Sequence, residues 1–245
     1  MSARANRPKV LLVTPTYDER DNLEPFVTST LDTLPHAHVL VVDDASPDGT
    51  GDLADTLAAR DPRVRVMHRS GKLGLGSAYL DAFRWALSEG YDRIFEMDTD
   101  LSHDPRYLPQ MLDALDDGAG LVIGSRNVPG GGVEGWGPGR HILSKGGSLY
   151  SRTLLGLPIR DLTSGYKGFR RETLEALDLG AVQSEGYAFQ IELTYRAIRR
   201  GFRVDEVPIV FVDRRAGESK MSRRVFTEAV VMVPRLRLAA LLGRL

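Results

Sequence analysis

The sequence contains no cysteine. Disulfides, thiolate metal sites and cysteine nucleophiles are thereby excluded, and the absence fits a reducing compartment without requiring one. No run of about 18 apolar residues occurs, so no segment reads as a membrane-spanning helix. The N-terminus, MSARANRPKV, is a short basic arm leading straight into an apolar stretch, without the apolar core of a secretory leader. These absences place the expected location in the cytoplasm or, peripherally, on the cytoplasmic face of a membrane. An excess of one charge is also lacking: 32 Lys and Arg stand against 33 Asp and Glu, a formal net charge of -1. The chain as a whole carries no electrostatic footprint for nucleic acid, and no such partner is expected.

Two nucleotide signatures are missing as well. No G-x-x-x-x-G-K-[ST] occurs. The glycine-rich Gly71-Lys72-Leu73-Gly74-Leu75-Gly76 carries Tyr79 where the dinucleotide fingerprint requires glycine, and it follows the third apolar strand rather than the first. A P-loop NTPase and a nicotinamide-dependent hydride transferase are disfavoured.

What is present is an alternation of strand and helix patterns. The 245 residues, 42% hydrophobic and 27% charged, suffice for one large α/β domain or a domain with a short appendage. Apolar runs at Lys9 to Thr14, His38 to Val42, Val64 to Met67, Arg93 to Met97 and Gly120 to Gly124 read as buried strands. Helical spacing appears at Asn22 to Leu34, Gly51 to Arg60 and Gly76 to Glu89, and Asp104-Pro105 reads as the start of another helix. That rhythm predicts a mostly parallel sheet covered by helices on both faces. The second half is less regular. Val128 to Gly139 reads as a loop, Arg140 to Leu155 and Tyr187 to Arg200 as helices, and Arg203 to Val212, which contains Pro208, as an edge strand. From Arg214 onward eight Lys or Arg stand against two Glu, interleaved with apolar residues.

In such sheets ligands bind beyond the carboxyl ends of the strands. There the sequence places Pro15 to Glu19, Asp43-Asp44, Asp98-Thr99-Asp100 and Ser125-Arg126, so acidic and turn residues gather at one rim. Two carboxylates spaced D-x-D at a strand end suit a hard divalent cation, with remaining coordination left for phosphate oxygens and water. A lone D-x-D is ordinarily a solvated loop or a helix cap; a second acidic pair at the same rim favours the metal reading.

These motifs resemble those of the inverting glycosyltransferases of family 2, and within them the dolichyl- or polyprenyl-phosphate mannose synthases. The resemblance runs from about Lys9 to Lys220. In order it comprises PTYDERDNL (Pro15 to Leu23), VVDDASPDGT (Val41 to Thr50), GLGSAY (Gly74 to Tyr79), MDTDLSHDP (Met97 to Pro105), GSR ending at Arg126, GGGVEGW (Gly130 to Trp136), DLTSGYKGF (Asp161 to Phe169) and EVPIVFVDRRAGESK (Glu206 to Lys220). It implies a GT-A fold, a Rossmann-like, mostly parallel sheet with helices on both faces. The catalytic domain would span 1–213, and 214–245 would be a basic amphipathic segment completing the site.

The resemblance also implies an activity: transfer of mannose from GDP-mannose to a polyprenyl phosphate, with inversion. Pro15, Tyr17 and Glu19 would line the nucleotide pocket, Val42 and Asp44 would contact base and ribose, and the Thr99 backbone would lie beside the nucleotide. Asp98 and Asp100 would bind Mg²⁺ or Mn²⁺ with the diphosphate. Arg126, Arg214 and Lys220 would contact donor or acceptor phosphates. Ser102 stands where some relatives carry Gln as a further metal ligand, and Asp18 replaces the usual Asn. A related transferase using UDP-glucose, one with a soluble acceptor, and a nucleotide-sugar-binding protein without turnover are the alternatives.

Several residues have simpler readings. His36 and His38 alternate and would share a strand face, solvated rather than metal-binding, since no third ligand is evident. Trp85, Phe189 and Tyr195 read as core. Arg126 could form a structural ion pair, although a guanidinium at this rim suits phosphate. Gly130 to Gly132 could form a lid over the donor. The tail from Val225 to Leu242 mixes bulky apolar residues with Arg235 and Arg237, which suits a helix lying in the interface of an anionic leaflet or docking on a membrane protein, and Arg140 to Leu155 could form a second such surface.

Overall fold

The computed structural model describes residues 7–182, 184–213 and 223–243. Its centre is a seven-stranded sheet. Four parallel strands form one side: β1 (Val10–Thr16), β2 (His38–Asp43), β3 (Val64–His68) and β4 (Arg93–Glu96), in the spatial order β3-β2-β1-β4. Successive side chains along each strand serve opposite faces. Leu11, Val13, Leu40, Val42 and Ile94 enter one core cluster, while Val10, Leu12, Val39, Val41 and Phe95 enter the other. Because both faces are covered, β1 and β2 read as near-continuous apolar runs rather than alternating ones. Helices α1 (Arg20–Thr33) and α2 (Thr50–Arg60) cover one face, and α3 (Leu75–Ser88) covers the other.

Beyond β4 the sheet departs from the simple series. After a 3₁₀ turn (Pro105–Tyr107) and α4 (Leu108–Asp116), β5 (Leu121–Ser125) is not the neighbour of β4. A strand invisible to apolar patterning, β7 (Lys167–Arg170), lies between them, antiparallel to both. Its Gly168 is required by packing: a Cβ there would stand 2.4 Å from Phe95 Cε1 and 2.9 Å from Val122 Cγ1. The expected Asp104 cap is present, its carboxylate accepting from the Arg106 amide at 2.9 Å.

The Gly-rich stretch is not a loop throughout. Gly132–Glu134 form β6, paired in parallel with β9 (Val210–Val212) in a small second sheet. Pro208, expected on an edge strand, ends β8 (Val204–Pro208), which pairs with β5 at the sheet's edge. The remaining helices are α5 (Pro138–Leu155), the short α6 (Arg171–Ala176), α7 (Gly186–Arg199) and α8 (Arg223–Leu241). Helix α8 sends Val233, Leu236 and Ala240 into the core cluster that also holds Phe189, Tyr195 and Leu155. Trp85 packs at that cluster's margin. His36 and His38 do not share a strand face: His36 lies in the turn before β2, and His38 Nδ1 meets the Tyr91 hydroxyl at 2.6 Å.

Candidate active site

The carboxyl ends of β1, β2 and β4 open onto one rim. The three non-glycine residues with left-handed backbone among the described residues all lie there: Asp18 (φ 54), Ala45 (φ 55) and Leu101 (φ 57), each in the loop leaving one of these strands. Such conformations are costly for residues with a Cβ and persist where surrounding structure enforces them, commonly at functional sites.

Internal hydrogen bonds fix the loops. Asp43 accepts from Thr16 Oγ1 (3.1 Å), Ser46 Oγ (2.6 Å) and the Ser46 amide (3.2 Å), so it secures the turn rather than facing a ligand. Asp44 is held by Arg69, whose Nη1 lies 2.7 Å from Oδ1. Burial raises the Asp44 carboxyl above its usual range, and the Arg69 charge opposes that shift. Arg69 also bonds Ser77 Oγ at 2.7 Å and approaches Asp81 at 3.3 Å, which ties β3 to α3. Lys72 Nζ sits 3.9 Å above the Tyr17 ring. Glu19 accepts from Asn22 Nδ2 at 2.8 Å, and its amide donates to Thr50 Oγ1 at 3.1 Å. Val42 is completely buried in the core cluster, so its side chain is not at the rim.

The D-x-D segment follows β4. Thr99 is buried between Thr14 Oγ1 (2.6 Å) and the Pro15 carbonyl (3.2 Å), which anchors the segment to β1. The flanking carboxylates differ. The Asp98 side chain is 43% exposed, whereas Asp100 is buried and accepts from the Ser102 amide (3.1 Å) and the Ser102 hydroxyl. His103, one residue further, is buried against Tyr166 and Phe211, and burial pushes its imidazole down to about 4, so it is neutral at pH 7.

Arg126, at the end of β5, is held in a buried two-pronged pair with Asp161: Nε to Oδ2 and Nη2 to Oδ1 are each 2.7 Å. Its amide also donates to Asp161 (3.0 Å), and Nη2 reaches Thr163 Oγ1 (2.9 Å). The guanidinium lies over Trp136 and Phe211, 5.5 and 5.7 Å from their ring centres. Burial alone would raise the Asp161 carboxyl, but the Arg126 charge and hydrogen bonds hold it below its usual range. Glu206 fixes this loop in turn, accepting from the Arg160 and Asp161 amides at 2.8 and 2.9 Å.

Beneath the D-x-D segment lie two buried ionisable groups that pattern reading missed. Glu96 and Lys167 are cross-strand partners on β4 and β7, both completely buried. Burial pushes Glu96 up to about 8 and Lys167 down to about 8, each opposed by the other's charge. Lys167 Nζ donates to the Gln190 carbonyl at 2.6 Å.

Comparison with known proteins places this geometry. The model of the family described as "Glycosyl transferase family 2" matches residues 11–178. The undecaprenyl-phosphate mannosyltransferase of Micrococcus luteus is 53% identical over 232 residues, 95% of each chain. The polyprenol monophosphomannose synthase of Mycolicibacterium smegmatis is 55% identical over 226 residues, 92% of this chain and 85% of that one.

The chain belongs to glycosyl transferase family 2.

It is a glycosyltransferase with the GT-A architecture expected from its motifs. Among solved structures, glucosyl-3-phosphoglycerate synthase from Mycobacterium tuberculosis, in complex with Mn²⁺, UDP-Glc and phosphoglyceric acid, superposes with a TM-score of 0.66 at 19% identity, covering 94% of this chain and 80% of that one. A mannosyltransferase from Pyrobaculum calidifontis, in complex with GDP-Man and Mn²⁺, superposes with a TM-score of 0.59 at 18% identity, covering 98% and 75%. At these identities the likeness concerns the fold.

In this family 2 glycosyltransferase, Pro15 lies near the end of β1, and Tyr17, Glu19, Asp44, Asp98, Thr99 and Asp100 belong to the rim segments that leave β1, β2 and β4. Arg126 stands at the end of β5, bound to Asp161. Arg214 and Lys220 lie outside the described residues. Arg69, Lys72, His103, Asp161 and Glu185 escaped the sequence reading. Glu185 accepts from the Gly76 amide at 2.7 Å and so caps α3, and its carboxylate would lie 2.8 Å from a Cβ at Gly74. The glycines of GLGSAY thus serve helix packing. Among the described residues no group of three or more His, Asp or Glu side chains could by itself hold a metal ion. The donor set still fits a hard cation, because two adjacent strand-end carboxylates provide oxygen ligands and leave positions for diphosphate and water.

Proposed function

We propose that this glycosyltransferase transfers mannose from GDP-mannose to a polyprenyl phosphate with inversion, giving polyprenyl-phosphate mannose and GDP. The observation that carries the reading is the pair of relatives at 53% and 55% identity over nearly the whole chain, both named for mannosyl transfer to a polyprenyl carrier. The D-x-D rim accords with it. Tyr17, Glu19, Asp44 and the backbone around Pro15 and Thr99 form the donor's nucleotide side. Asp98 and Asp100 would hold Mg²⁺ or Mn²⁺, which neutralises the charge on the leaving diphosphate. Arg126, with Arg214 and Lys220, would stand on the phosphate side.

The nucleophile is an oxygen of the acceptor's phosphate monoester. Its second pKa is about 6 by analogy with phosphorylated side chains, so it is mostly dianionic at neutral pH and requires no strong general base. That oxygen attacks the anomeric carbon as the bond to the diphosphate oxygen breaks, and GDP departs with the bonding pair. The protein's contribution is orientation of two anionic groups and electrostatic stabilisation. The rigid loops suit this: Thr99 is bonded to β1, Asp100 to its own turn, and Arg126 to Asp161.

A lipid acceptor has to be met at a membrane. Among the described residues no helix is long and apolar enough to cross one. Helices α5 and α8 lie side by side, with Tyr150 Oη donating to the Val230 carbonyl at 3.0 Å and Arg237 Nη1 approaching the Leu155 carbonyl at 3.4 Å. Leu149 and Leu154 on α5, with Val230, Val231, Leu238 and Leu241 on α8, are exposed although the opposite stripe of α8 is packed in the core. Apolar residues concentrated on adjoining helices, with Arg235 and Arg237 among them, suit peripheral attachment to the cytoplasmic face. A screen of donors and polyprenyl phosphate acceptors with mass detection tests the reading: GDP-mannose is the expected donor, and exclusive use of UDP-glucose or of a soluble acceptor would replace it.

A further inference from the structure

His103 is 2% exposed, and neither ring nitrogen has a hydrogen-bond partner among the described residues. A buried polar group without a partner is costly, and where one persists it calls for a reason. Packing does not supply it. The ring is set among aromatic neighbours, 5.2 Å from Tyr166 and 5.0 Å from Phe211 between centroids, a slot that phenylalanine would fill without polar atoms.

The polar edge of the ring points to a better reason. Nδ1 lies 4.0 Å from Asp98 Oδ2, beyond hydrogen-bonding distance. Gly165 borders the same space: a Cβ there would stand 3.7 Å from Asp98 Oδ2 and 4.0 Å from His103 Cε1. The two groups differ in exposure: His103 is buried, whereas the Asp98 side chain is 43% exposed. Carboxylates that ligate metals are themselves commonly fixed by hydrogen bonds, which hold one oxygen and leave the other for the ion.

We propose that His103 is the positioning residue for Asp98: when the site takes up a divalent cation with a nucleoside diphosphate, Asp98 Oδ2 closes onto the Nδ1–H of His103, leaving its other oxygen for the cation. The inference rests on the reading of Asp98 as a metal-binding carboxylate. It gives the unpaired imidazole a partner that exists only in the loaded state.

The test is calorimetric titration of Mn²⁺ into the purified protein at saturating GDP, for the native chain, His103→Phe and His103→Gln. Phenylalanine keeps the aromatic packing without the donor; glutamine keeps an N–H donor. His103→Phe is expected to weaken Mn²⁺ binding by about 10- to 100-fold, the usual effect of losing an outer hydrogen bond to a metal ligand. His103→Gln should stay within a few fold of native, and GDP binding without metal should be unchanged in both. Native-like Mn²⁺ affinity in His103→Phe, or equal loss in both variants, overturns the proposal. Absence of Mn²⁺ binding by the native protein overturns instead the metal reading beneath it. A second measurement needs no variant: in the native protein labelled with ¹⁵N-histidine, the His103 Nδ1 proton should move downfield and exchange more slowly on adding Mg²⁺ and GDP. An unchanged resonance in protein that has bound both also overturns the proposal.

Discussion

Arg126 and Asp161, 35 positions apart, meet in a buried pair whose two short contacts are both 2.7 Å. The pair joins the end of β5 to the loop before β7, and both side chains are nearly inaccessible, at 6% and 0% exposure. The guanidinium proposed to face a phosphate is therefore oriented by a carboxylate that water does not reach.

Removing that carboxylate leaves a buried cation without its partner. Asp161→Ala is expected to destabilise the fold by about 3–5 kcal/mol, the usual cost of breaking a buried pair, read by urea unfolding. The pair also has a pH signature. The Asp161 carboxyl is held below its usual value in the folded state, so its contribution to stability is fully present above the unfolded pKa of about 3.9 and is lost as pH falls through the lower folded value. A loss below about 1 kcal/mol in Asp161→Ala would show a pair that behaves as a solvated surface bridge.

Glu96 and Lys167 give a second stability test, at the base of the D-x-D strand. Lys167→Met should cost about 1.5–3 kcal/mol, since it removes a buried charge-assisted bond to the Gln190 carbonyl. Glu96→Gln should cost less than about 1 kcal/mol at pH 7, where a carboxyl raised to about 8 is largely protonated. The double replacement should cost less than the sum of the two. The double-mutant cycle from denaturant unfolding reads the coupling directly. Additive losses would mean that the two side chains do not depend on each other.

These two pairs mark what the sequence could and could not reveal. Strands β1 and β2 were legible because burial on both faces makes each nearly an apolar run, and β4 through its central Ile94-Phe95 and the following Met97; the acidic residues of the rim come shortly after each. Strand β7 was not, because Lys167-Gly168-Phe169-Arg170 carries no apolar pattern; its one signal is a glycine that Phe95 and Val122 press against. The partners Arg126–Asp161, Asp44–Arg69 and Glu96–Lys167 are contacts across 35, 25 and 71 positions that no local periodicity encodes. The Gly130 to Gly132 segment read as a loop or lid because glycine hides strand propensity, yet Gly132 opens a strand paired with β9.

The helical surface of α5 and α8 predicts membrane attachment that can be removed without touching the site. The native protein should float with anionic vesicles, and less so at high salt. Replacing Leu238, Leu241 and Leu242, each more than half exposed, by serine should abolish flotation while leaving thermal stability nearly unchanged. Equal flotation of both proteins would remove this surface from the membrane.

The metal reading predicts that turnover stops in excess chelator and returns on adding Mg²⁺ or Mn²⁺. Asp100→Ala should lower turnover by more than about a hundredfold, since charge neutralisation by a cation contributes several kcal/mol to the transition state. Full activity in chelator would separate the D-x-D pair from any metal.

The central claim is inverting mannosyl transfer to a lipid phosphate, and an NMR spectrum of the lipid product from GDP-mannose and polyprenyl phosphate tests it most directly. The α-linked donor should yield a β-linked mannosyl phosphate, read from the one-bond coupling at the anomeric carbon. An α-linked product, or no mannosylated lipid from active protein, would contradict it.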